Sequence, residues 1–554
     1  MRYLATILIA ASTVAAQAPD QIYVNGKIIT VDDTFSIVEA VAIRGERILA
    51  TGSNAEIRRL ADADTEVRDL GGRTVVPGLI DNHNHIIRAT EHWLSEARLD
   101  GITARSEALA AIEAKADALP PGAWIFTLGG WFEDQFTDDK TGFTLDELDA
   151  VTRDHPAFIQ SKYDHAFVNT AWLEVMRFPV NASEADTENA EGLRSDIERD
   201  PTGRATGRLE GGFWMISRAI ERFPPVTDEE QHRGIIALME HFNQLGLTTV
   251  FDAGGMGIQE TSYQRIQKLA DAGEMTLRIY YTLWGGLDPS KADELITKLE
   301  TIRPFQGDDM YRQIALGEIY YQPFHFDNLT RTVSPTDDEI ATARRILTAA
   351  AANGWPVETH ATQPSTINRL FDVIEAVDAS HPVRALRWSI THADIIGAPE
   401  IERARRLGMN LQLRSQATIG GREAAYEMHG DAVYDMPPLR LVQDSGIVFG
   451  LGTDGTKAAQ INPFISLWWA TTGKRLDGEI ATRQVLTREE ALIAHTRANA
   501  LMIFQEANLG AIKPGLLADL VVLDRDYMTI PLEEIRYIQP VVTMVGGKVV
   551  YTSE

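Results

Sequence analysis

The chain carries two histidines, His83 and His85, at the end of the apolar run VVPGLIDNHNH. In a β-strand, side chains two residues apart point to the same face, so both imidazoles would be directed at one point. A metal ion requires such convergence, and neutral imidazole is a common ligand. The pair alone is weak evidence, because histidines at a strand end can equally be hydrogen-bonded to their surroundings.

Three further polar residues end apolar stretches later in the chain. His360 ends PVETH, His392 ends RWSITH, and Asp454 ends IVFGLGTD. If these stretches are strands of one parallel barrel, their carboxyl ends converge on the face where such barrels build active sites. Imidazole and carboxylate ligands suit zinc, and also manganese, iron or nickel. Cysteine is absent, which excludes thiolate ligands, thiolate nucleophiles and disulfides.

The elements that would hold these residues alternate between apolar strands and helical stretches such as 337–352 and 365–377. This alternation favours a parallel sheet covered by helices. The predicted fold class is therefore α/β, with a TIM-like (β/α)8 barrel over residues 77–508. Eight strands are predicted, at 75–81, 248–252, 278–283, 313–320, 356–359, 386–391, 410–413 and 447–452.

The two ends of the chain are predicted to be rich in β-structure. Asn25-Gly26 predicts a hairpin between 23–24 and 27–31, and similar turns join 41–44 to 47–51 and 541–545 to 548–551. A further strand is predicted at 520–523. Because short sheets need a partner face, we expect residues 19–76 and 509–554 to form one small β-sandwich domain.

The segment between the first two barrel strands, 95–235, is too long for one crossover connection. It contains strands of its own at 124–128 and 157–160, together with the run GGWFEDQF. We interpret it as a large insertion after the first barrel strand. In a barrel it would lie over the carboxyl-terminal mouth, where loops determine specificity.

The composition limits the classes of partner. A hydrophobic content of 44% and a charged content of 24% are ordinary for a globular protein. The net charge of −27 opposes binding to nucleic acid or anionic lipid. We therefore expect a small-molecule substrate, no nucleic acid and no membrane partner; a homodimer remains open.

The first residues have the pattern of a secretory signal peptide. Arg2 precedes a short apolar run, and Ala16-Gln17-Ala18 supplies small residues before Pro19. This pattern predicts a signal peptide at 1–18, cleaved after Ala18, and an exported protein, periplasmic or extracellular. The apolar run is too short to cross a membrane.

Taken together, the motifs resemble those of the metal-dependent amidohydrolase superfamily. The residues that carry the likeness are PGLIDNHNH, PVETH, SITHAD, GLGTDG and the tail LGAIKPGLLADLVVLD. GGWFEDQF and HPAFIQSKYDHAFVN are similar to the amidohydrolase-3 branch, which includes N-substituted formamide deformylases. The likeness runs from about residue 22 to the C-terminus.

The resemblance implies roles for these residues. His83 and His85 would bind the more buried metal ion, and His360 and His392 a second ion. Asp454 would bind metal and act as general base and acid. Many relatives carry a carboxylated lysine on the fourth strand, where this chain has Glu318; its carboxylate could bridge two ions directly. Lys162 is the lysine of this chain that could instead be carboxylated and bridge the two ions. One or two divalent ions per chain are expected, with zinc the first candidate.

The implied activity is hydrolysis of an amide-like C–N bond in a small molecule. Metal lowers the pKa of bound water, and Asp454 would take its proton and pass it to the leaving nitrogen. His165, Tyr163 and Trp131, all in the insertion, are the candidate substrate-binding residues. The alternatives are ester hydrolysis, deamination or decarboxylation at the same site, or an exported ligand-binding protein without turnover.

Overall fold

The computed structural model describes residues 18–181, 196–255 and 257–553. Parallel strands alternate with helices through the middle of the chain, and mixed, mainly antiparallel sheets are built from the two terminal segments, which confirms the predicted α/β class. Apart from Ala18, the predicted signal peptide lies outside the described residues. Within those residues, no helix combines the length and apolarity that a membrane crossing would require.

Eight parallel strands lie within a few residues of the predicted positions. The first four pair in sequence order in one sheet, and the last four pair in sequence order in another. Parallel bridges from Leu316 to Val357 and from Asn84 to Gly455 link the fourth strand to the fifth and the first to the eighth. The strands are Leu79–Asn84, Leu247–Asp252, Arg278–Leu283, Tyr311–Leu316, Glu358–Ala361, Ser389–His392, Asn410–Arg414 and Phe449–Gly452.

Helices connect these strands and cover them. Asp337–Ala352 has the predicted bounds and begins at a capping box, in which the Thr336 side chain accepts from the backbone N–H of Glu339. Its apolar residues join the largest hydrophobic cluster of the protein. The other helices after the second strand are Glu260–Ala272, Ala292–Thr301, Gln322–His325, Pro364–Asp378, Ala398–Leu407, Glu423–His429, Leu439–Ser445, Pro463–Thr472, Arg488–Ala494 and Arg497–Met502.

The predicted strand 75–81 is two strands. Thr74–Pro77 pairs with Leu520–Leu523 in a terminal sheet, whereas Leu79–Asn84 begins the parallel set. The break falls at Gly78, where a Cβ would lie 2.1 Å from the Thr248 hydroxyl oxygen. The chain changes sheets at this contact, which only glycine allows.

The terminal segments form two sheets with a shared apolar core. The four-stranded sheet has the order Arg47–Gly52, Ala40–Arg44, Gln21–Val24, Glu66–Asp69. The six-stranded sheet has the order Lys548–Thr552, Pro540–Val545, Leu520–Leu523, Thr74–Pro77, Lys27–Ile29, Ile37–Val38, and so contains both ends of the chain. One buried cluster takes residues from both sheets, among them Val41, Ile43, Val75 and Val522.

Two of the three predicted terminal hairpins are present. Ala40–Arg44 pairs with Arg47–Gly52, and Pro540–Val545 pairs with Lys548–Thr552. The Asn25-Gly26 hairpin prediction was wrong, because the strands on either side of this turn belong to different sheets. A Cβ on Gly26 would lie 2.4 Å from Leu70, so this turn is fixed by a long-range contact instead of local pairing.

Between the first two parallel strands the chain builds a separate five-stranded sheet. Its order is Ile197–Arg199, Ala205–Leu209, His165–Val168, Ala157–Ser161, Ile125–Leu128. The accompanying helices are Arg105–Ala118, Leu145–Thr152, Thr170–Val175 and Gly212–Ile220, and Asp228–Gln244 leads into the second parallel strand. Two hydrophobic clusters of its own hold this segment together.

Candidate metal centre

The residues singled out for metal binding all lie at the carboxyl ends of the parallel strands. His83 is the fifth residue of the first strand and His85 follows its end. His360 and His392 lie within the fifth and sixth strands. Glu318 and Asp454 each follow a strand end by two residues. The fourth strand stops at Leu316, short of the predicted 320, so Glu318 is presented by a turn.

Two overlapping triads of donor atoms are buried here. One comprises His83, His85 and Asp454, and the other comprises His83, Glu318 and His392; within each triad the atoms lie within 4.8 Å of one another. Asp454 Oδ1 is 3.1 Å from His85 Nε2 and 3.7 Å from His83 Nε2. These separations suit donor atoms that surround one ion at about 2.0–2.2 Å.

Glu318 lies among all four histidines, and its Oε2 is 3.9 Å from His83 Nε2. Its Oε2 lies 2.9 Å from His360 Nδ1 and 3.0 Å from His392 Nε2. Its Oε1 lies 3.6 Å from His85 Nε2. The carboxylate therefore stands between the pair His83 and His85 and the pair His360 and His392, as a bridging ligand would.

The outer nitrogens of three histidines make hydrogen bonds that direct their inner nitrogens at the cluster. His85 Nδ1 donates to the Gly254 carbonyl oxygen at 2.6 Å, and His360 Nε2 donates to the Asp327 carbonyl oxygen at 3.0 Å. His83 Nδ1 lies 2.7 Å from Glu358 Oε1. Such outer partners fix the tautomer and leave the opposite nitrogen free for metal. His83 Nε2 is buried with no hydrogen-bond partner, so the donor set fits a metal ion.

Electrostatics around the cluster reflect its crowded carboxylates. Burial lowers the pKa of His83, but Glu358 and Glu318 outweigh it and raise the pKa to about 9. Burial likewise opposes the hydrogen bonds to Asp327 and Glu318 that raise the pKa of His360 to about 10. Both histidines thus carry the positive charge that a divalent cation would otherwise supply.

Asp454 is held on both sides. Oδ1 faces His85, while Oδ2 accepts a hydrogen bond from Arg414, which also donates to Asp394 at 3.0 Å. Burial raises the pKa of Asp454, but the charges of the Arg414 guanidinium and of His83 hold it well below its usual range. The carboxylate is therefore ionised and able to accept a proton.

The backbone at two candidate ligands adopts a left-handed conformation that side chains other than glycine usually avoid. His392 has φ of +72° and Asp454 has φ of +60°. Hydrogen bonds secure both positions, from Asp454 N to the His83 carbonyl at 2.9 Å and from Ala393 N to the Ala361 carbonyl at 2.9 Å. Strain of this kind is typical of functional sites.

Several residues of the site were missed from the sequence. Asp81 and Glu358 precede His83 and His360 by two positions, and Asp394 follows His392 by two. Alternation within a strand could have indicated Asp81 and Glu358, because residues two apart share a face. Arg414 offered no such signal, since it lies on the seventh strand, where no ligand was predicted.

The predicted substrate-binding residues have different surroundings. The Tyr163 hydroxyl accepts a hydrogen bond from Arg88, and burial, with the charges of Asp454 and Glu318 adding to it, raises the pKa of Tyr163 to about 12. His165 Nε2 lies 2.5 Å from Glu133 Oε1, inside the insertion. Tyr163 therefore lies near the cluster, whereas His165 is paired with Glu133 within the insertion.

The prediction that Trp131 binds substrate needs correction. Its side chain is completely buried, packs against Phe136 and Phe143, and donates its ring N–H to the Gln160 carbonyl. It belongs to the insertion's hydrophobic core and offers no surface to a ligand. The Lys162 amine donates to the Gly420 carbonyl at 2.7 Å.

Comparison with known proteins agrees with this geometry. An amidohydrolase family model matches residues 66–551. N-substituted formamide deformylase of Arthrobacter pascens is 26% identical over 97% of this chain and 99% of its own length. The putative amidohydrolase YtcJ of Bacillus subtilis is 24% identical over 96% of this chain and 99% of its own length.

Among solved structures, an uncharacterized metal-dependent hydrolase from Pyrococcus horikoshii superposes with a TM-score of 0.64. It is 20% identical and covers 93% of this chain and 99% of its own, which shows a shared fold. The family model spans most of the chain and includes all six candidate ligands. The chain therefore belongs to the amidohydrolase family.

Proposed function

We propose that this protein is a metal-dependent hydrolase that cleaves an amide-like C–N bond in a small molecule. The observation that carries the proposal is the cluster itself: His83, His85 and Asp454 share one point, with Glu318 beside them. The family relationship to proteins such as N-substituted formamide deformylase supports C–N bond cleavage.

The residues of the site have distinct tasks in this reaction. A divalent ion held by the histidines and carboxylates would supply Lewis acidity and lower the pKa of water. Asp454 takes a proton from the attacking water and passes it to the leaving nitrogen, which is too basic to leave as an anion. Arg414 keeps Asp454 ionised and oriented. The Tyr163 hydroxyl, protonated at neutral pH, can donate to the oxygen on which charge develops.

We propose zinc as the metal and two ions as the full complement. All six candidate ligands are imidazole or carboxylate, which zinc accepts. The position of Glu318, with Oε2 near His360 and His392 and Oε1 towards His85, supports a bridge between two ions. Lys162 is the alternative bridging residue, but its amine donates a hydrogen bond to the Gly420 carbonyl.

The architecture that we propose is a closed (β/α)8 barrel at 77–508 with a terminal β-sandwich. The bridges Leu316 to Val357 and Asn84 to Gly455 support closure, because they join the two four-stranded runs at both edges. The core shared by the two terminal sheets supports a sandwich from 19–76 and 509–554. Tyr163 near the cluster supports placing the 95–235 insertion over the site.

Export and small-molecule specificity remain proposals that follow from the sequence. The signal-like residues 1–18 predict an exported protein, periplasmic or extracellular. The strongly acidic composition favours a small-molecule substrate over nucleic acid. Fractionation of the producing cells, with N-terminal sequencing of the mature chain, tests the first proposal.

The direct test of function is Asp454→Asn in the metal-loaded protein. Amide replaces carboxylate with little change of shape, so metal content should persist while kcat falls about 10²- to 10⁴-fold. Turnover is measured on panels of N-substituted formamides and N-acyl amino acids, and metal by mass spectrometry. Asp338→Asn, on the exposed face of Asp337–Ala352, is the matched control and should leave both unchanged.

Two results would contradict the proposal. Full activity in Asp454→Asn would remove the proton-transfer role of that residue. A wild-type protein that binds small molecules but holds no metal and hydrolyses none of the panel would instead be a ligand-binding protein. Adding ester and amino-heterocycle substrates to the panel separates amide hydrolysis from ester hydrolysis and deamination.

A further inference from the structure

We infer that Arg88, with Lys457 beside it, forms an anion-binding subsite at the metal centre, so that the substrate is an amide bearing a carboxylate or similar anionic group. This inference rests on the proposed function and adds the class of substrate to it. The observations that lead to it are a guanidinium packed against the loop that orients His85 and an amine three residues beyond Asp454, neither of which forms an ion pair with a described residue.

Arg88 has no ion pair in the described part of the chain, although it lies next to the site. Its one side-chain hydrogen bond there goes to the Tyr163 hydroxyl, and its Nε is buried without a partner. Other buried arginines are neutralised: Arg98 pairs with Glu96 and Asp100, and Arg278 with Asp519. Arg88 is partly buried, and a guanidinium in such a position without a carboxylate partner is open to an anion that binds there.

The position of Arg88 is fixed by the same loop that orients a candidate metal ligand. Arg88 lies in the short helix Ile86–Ala89, which begins directly after His85. The Gly254 carbonyl accepts from His85, and at the next residue a Cβ on Gly255 would lie 3.1 Å from Arg88 Cδ and Nη1. The backbone of this loop therefore packs flat against the guanidinium and holds it beside the metal centre.

Tyr163 completes the placement of the guanidinium. The Arg88 guanidinium lies 5.5 Å from the Tyr163 ring centre as well as donating to its hydroxyl. The charges of Asp454 and Glu318 reach that hydroxyl. The pair therefore stands at the edge of the metal centre, within reach of a substrate held there.

Lys457 adds a second unneutralised cation. It is 6% exposed, three residues beyond Asp454, and its amine has no hydrogen bond or ion pair to any described residue. Burial lowers the pKa of Lys457 to about 7, with Glu96 opposing and Arg88 reinforcing the effect. An anion bound between Lys457 and Arg88 would remove this repulsion and hold the amine protonated.

The acidic groups around these two cations do not form ion pairs with them. Glu91 and Glu96 act on Lys457 through their charge alone, and Glu96 Oε2 is buried without a hydrogen-bond partner. Glu96 pairs with Arg98 at 2.7 Å, and Asp252 accepts the backbone N–H groups of Ile87 and Gly254, both at 2.8 Å. Neither lies within ion-pair distance of Arg88 or Lys457. Since the chain has 79 acidic and 52 basic residues, two cations left unpaired at one place indicate a charge that arrives with the ligand.

The test compares an anionic and a neutral probe of the same shape. N-acetylglycine and N-acetylglycinamide are titrated calorimetrically into the zinc-loaded full chain, in an Asp454→Asn background that preserves the probes. Arg88→Gln should weaken N-acetylglycine binding by about tenfold or more, the loss of a charge-assisted hydrogen bond, and change N-acetylglycinamide binding less than twofold. Lys457→Gln should act in the same direction, and Arg88→Lys should retain part of the affinity.

Several outcomes would overturn the subsite. Equal losses for both probes would indicate a role in shape only, and unchanged binding of N-acetylglycine in both variants would show that no anion is held there. If Arg88→Gln fails to fold, the binding of the two probes to Lys457→Gln and Arg88→Lys decides whether the subsite exists. Hydrolysis of neutral formamides with no preference for anions would refute the subsite and leave the proposed function standing. Arg88-dependent anion binding without any hydrolysis would support the subsite and refute the proposed function.

Discussion

Glu318 is the residue on which the number of metal ions depends. Its Oε2 faces His360 and His392 while its Oε1 faces His85, and burial is outweighed by His83 and by the hydrogen bonds with His360 and His392, which hold its pKa well below the ordinary value. An ionised carboxylate in that position is a strong ligand to both ions, while a neutral amide is a weak one.

We therefore predict that Glu318→Gln loses one of two ions. The amide keeps the size of the side chain but removes the charge that two cations share, so zinc content should fall from about two to about one per chain. Metal analysis after gel filtration, with calorimetric titration of the metal-depleted protein, measures the stoichiometry. Activity is expected to fall together with the second ion.

The matched control is Glu402→Gln, on the exposed face of Ala398–Leu407. It should bind as many ions as the unaltered protein. If the unaltered protein and Glu318→Gln hold the same number of ions, the carboxylate does not bridge, and the two histidine pairs do not form two separate sites.

At the residue scale, the sequence indicates the candidate ligands that the structure brings together, but not their surroundings. His83, His85, His360, His392 and Asp454 follow apolar stretches, and parallel topology alone brings such strand ends together. Arg88 and Arg414 could not be predicted in this way, because the reach of a long side chain across a site depends on packing between distant elements. Trp131 shows the converse: an aromatic residue in a conspicuous motif proved to be core.

At the scale of elements, strand identity was predictable and several boundaries were not. The third parallel strand, Arg278–Leu283, and the helix Asp337–Ala352 have the predicted bounds. The strand predicted at 75–81 divides at Gly78, and Asn25-Gly26 joins two sheets. Both features arise from contacts with Thr248 and Leu70, which are distant in sequence and leave no local pattern.

The insertion meets the loop that follows Asp454 at one close backbone contact. Gly130 N donates to the Lys457 carbonyl oxygen at 2.9 Å, and a Cβ on Gly129 would lie 1.9 Å from that same oxygen. Gly129 also has φ of +94°, a left-handed conformation. This contact holds the loop that carries Asp454 against the GGWFEDQF turn.

Gly129→Ala is therefore predicted to destabilise the protein and impair the site together. The left-handed conformation costs about 1–2 kcal/mol for alanine, and the forced separation of the two backbones adds about 1–3 kcal/mol. Urea unfolding measures the first effect, and kcat/KM on the best substrate measures the displacement of the loop.

Gly122→Ala is the control for this variant. Gly122 also has positive φ, +78°, but a Cβ there has no atom within 4 Å. It should show the conformational cost alone, with unchanged kcat/KM. Equal behaviour of the two variants would mean that the contact with Lys457 contributes nothing beyond backbone strain.

At the scale of the whole molecule, the metal centre lies where the two halves of the parallel strand set meet. His83, His85 and Glu318 belong to the run of strands one to four, and His360, His392 and Asp454 to the run of strands five to eight. At each edge the runs are joined by one parallel bridge, from Leu316 to Val357 and from Asn84 to Gly455, and by a few backbone hydrogen bonds such as Asp454 N to the His83 carbonyl. An ion bound by ligands from both runs would add a direct link between them.

Metal removal should therefore lower the stability of the entire chain as well as its activity. Binding to the folded state alone stabilises it by about 2.7 kcal/mol at a free metal concentration one hundred times Kd, and this is lost on chelation. Differential scanning calorimetry should show Tm falling by several degrees with chelator and recovering with zinc. A His83→Ala/His85→Ala variant should melt at the lower temperature whether or not chelator is present. An unchanged Tm on chelation, with metal loss verified, would show that the two runs of strands hold together without the ions.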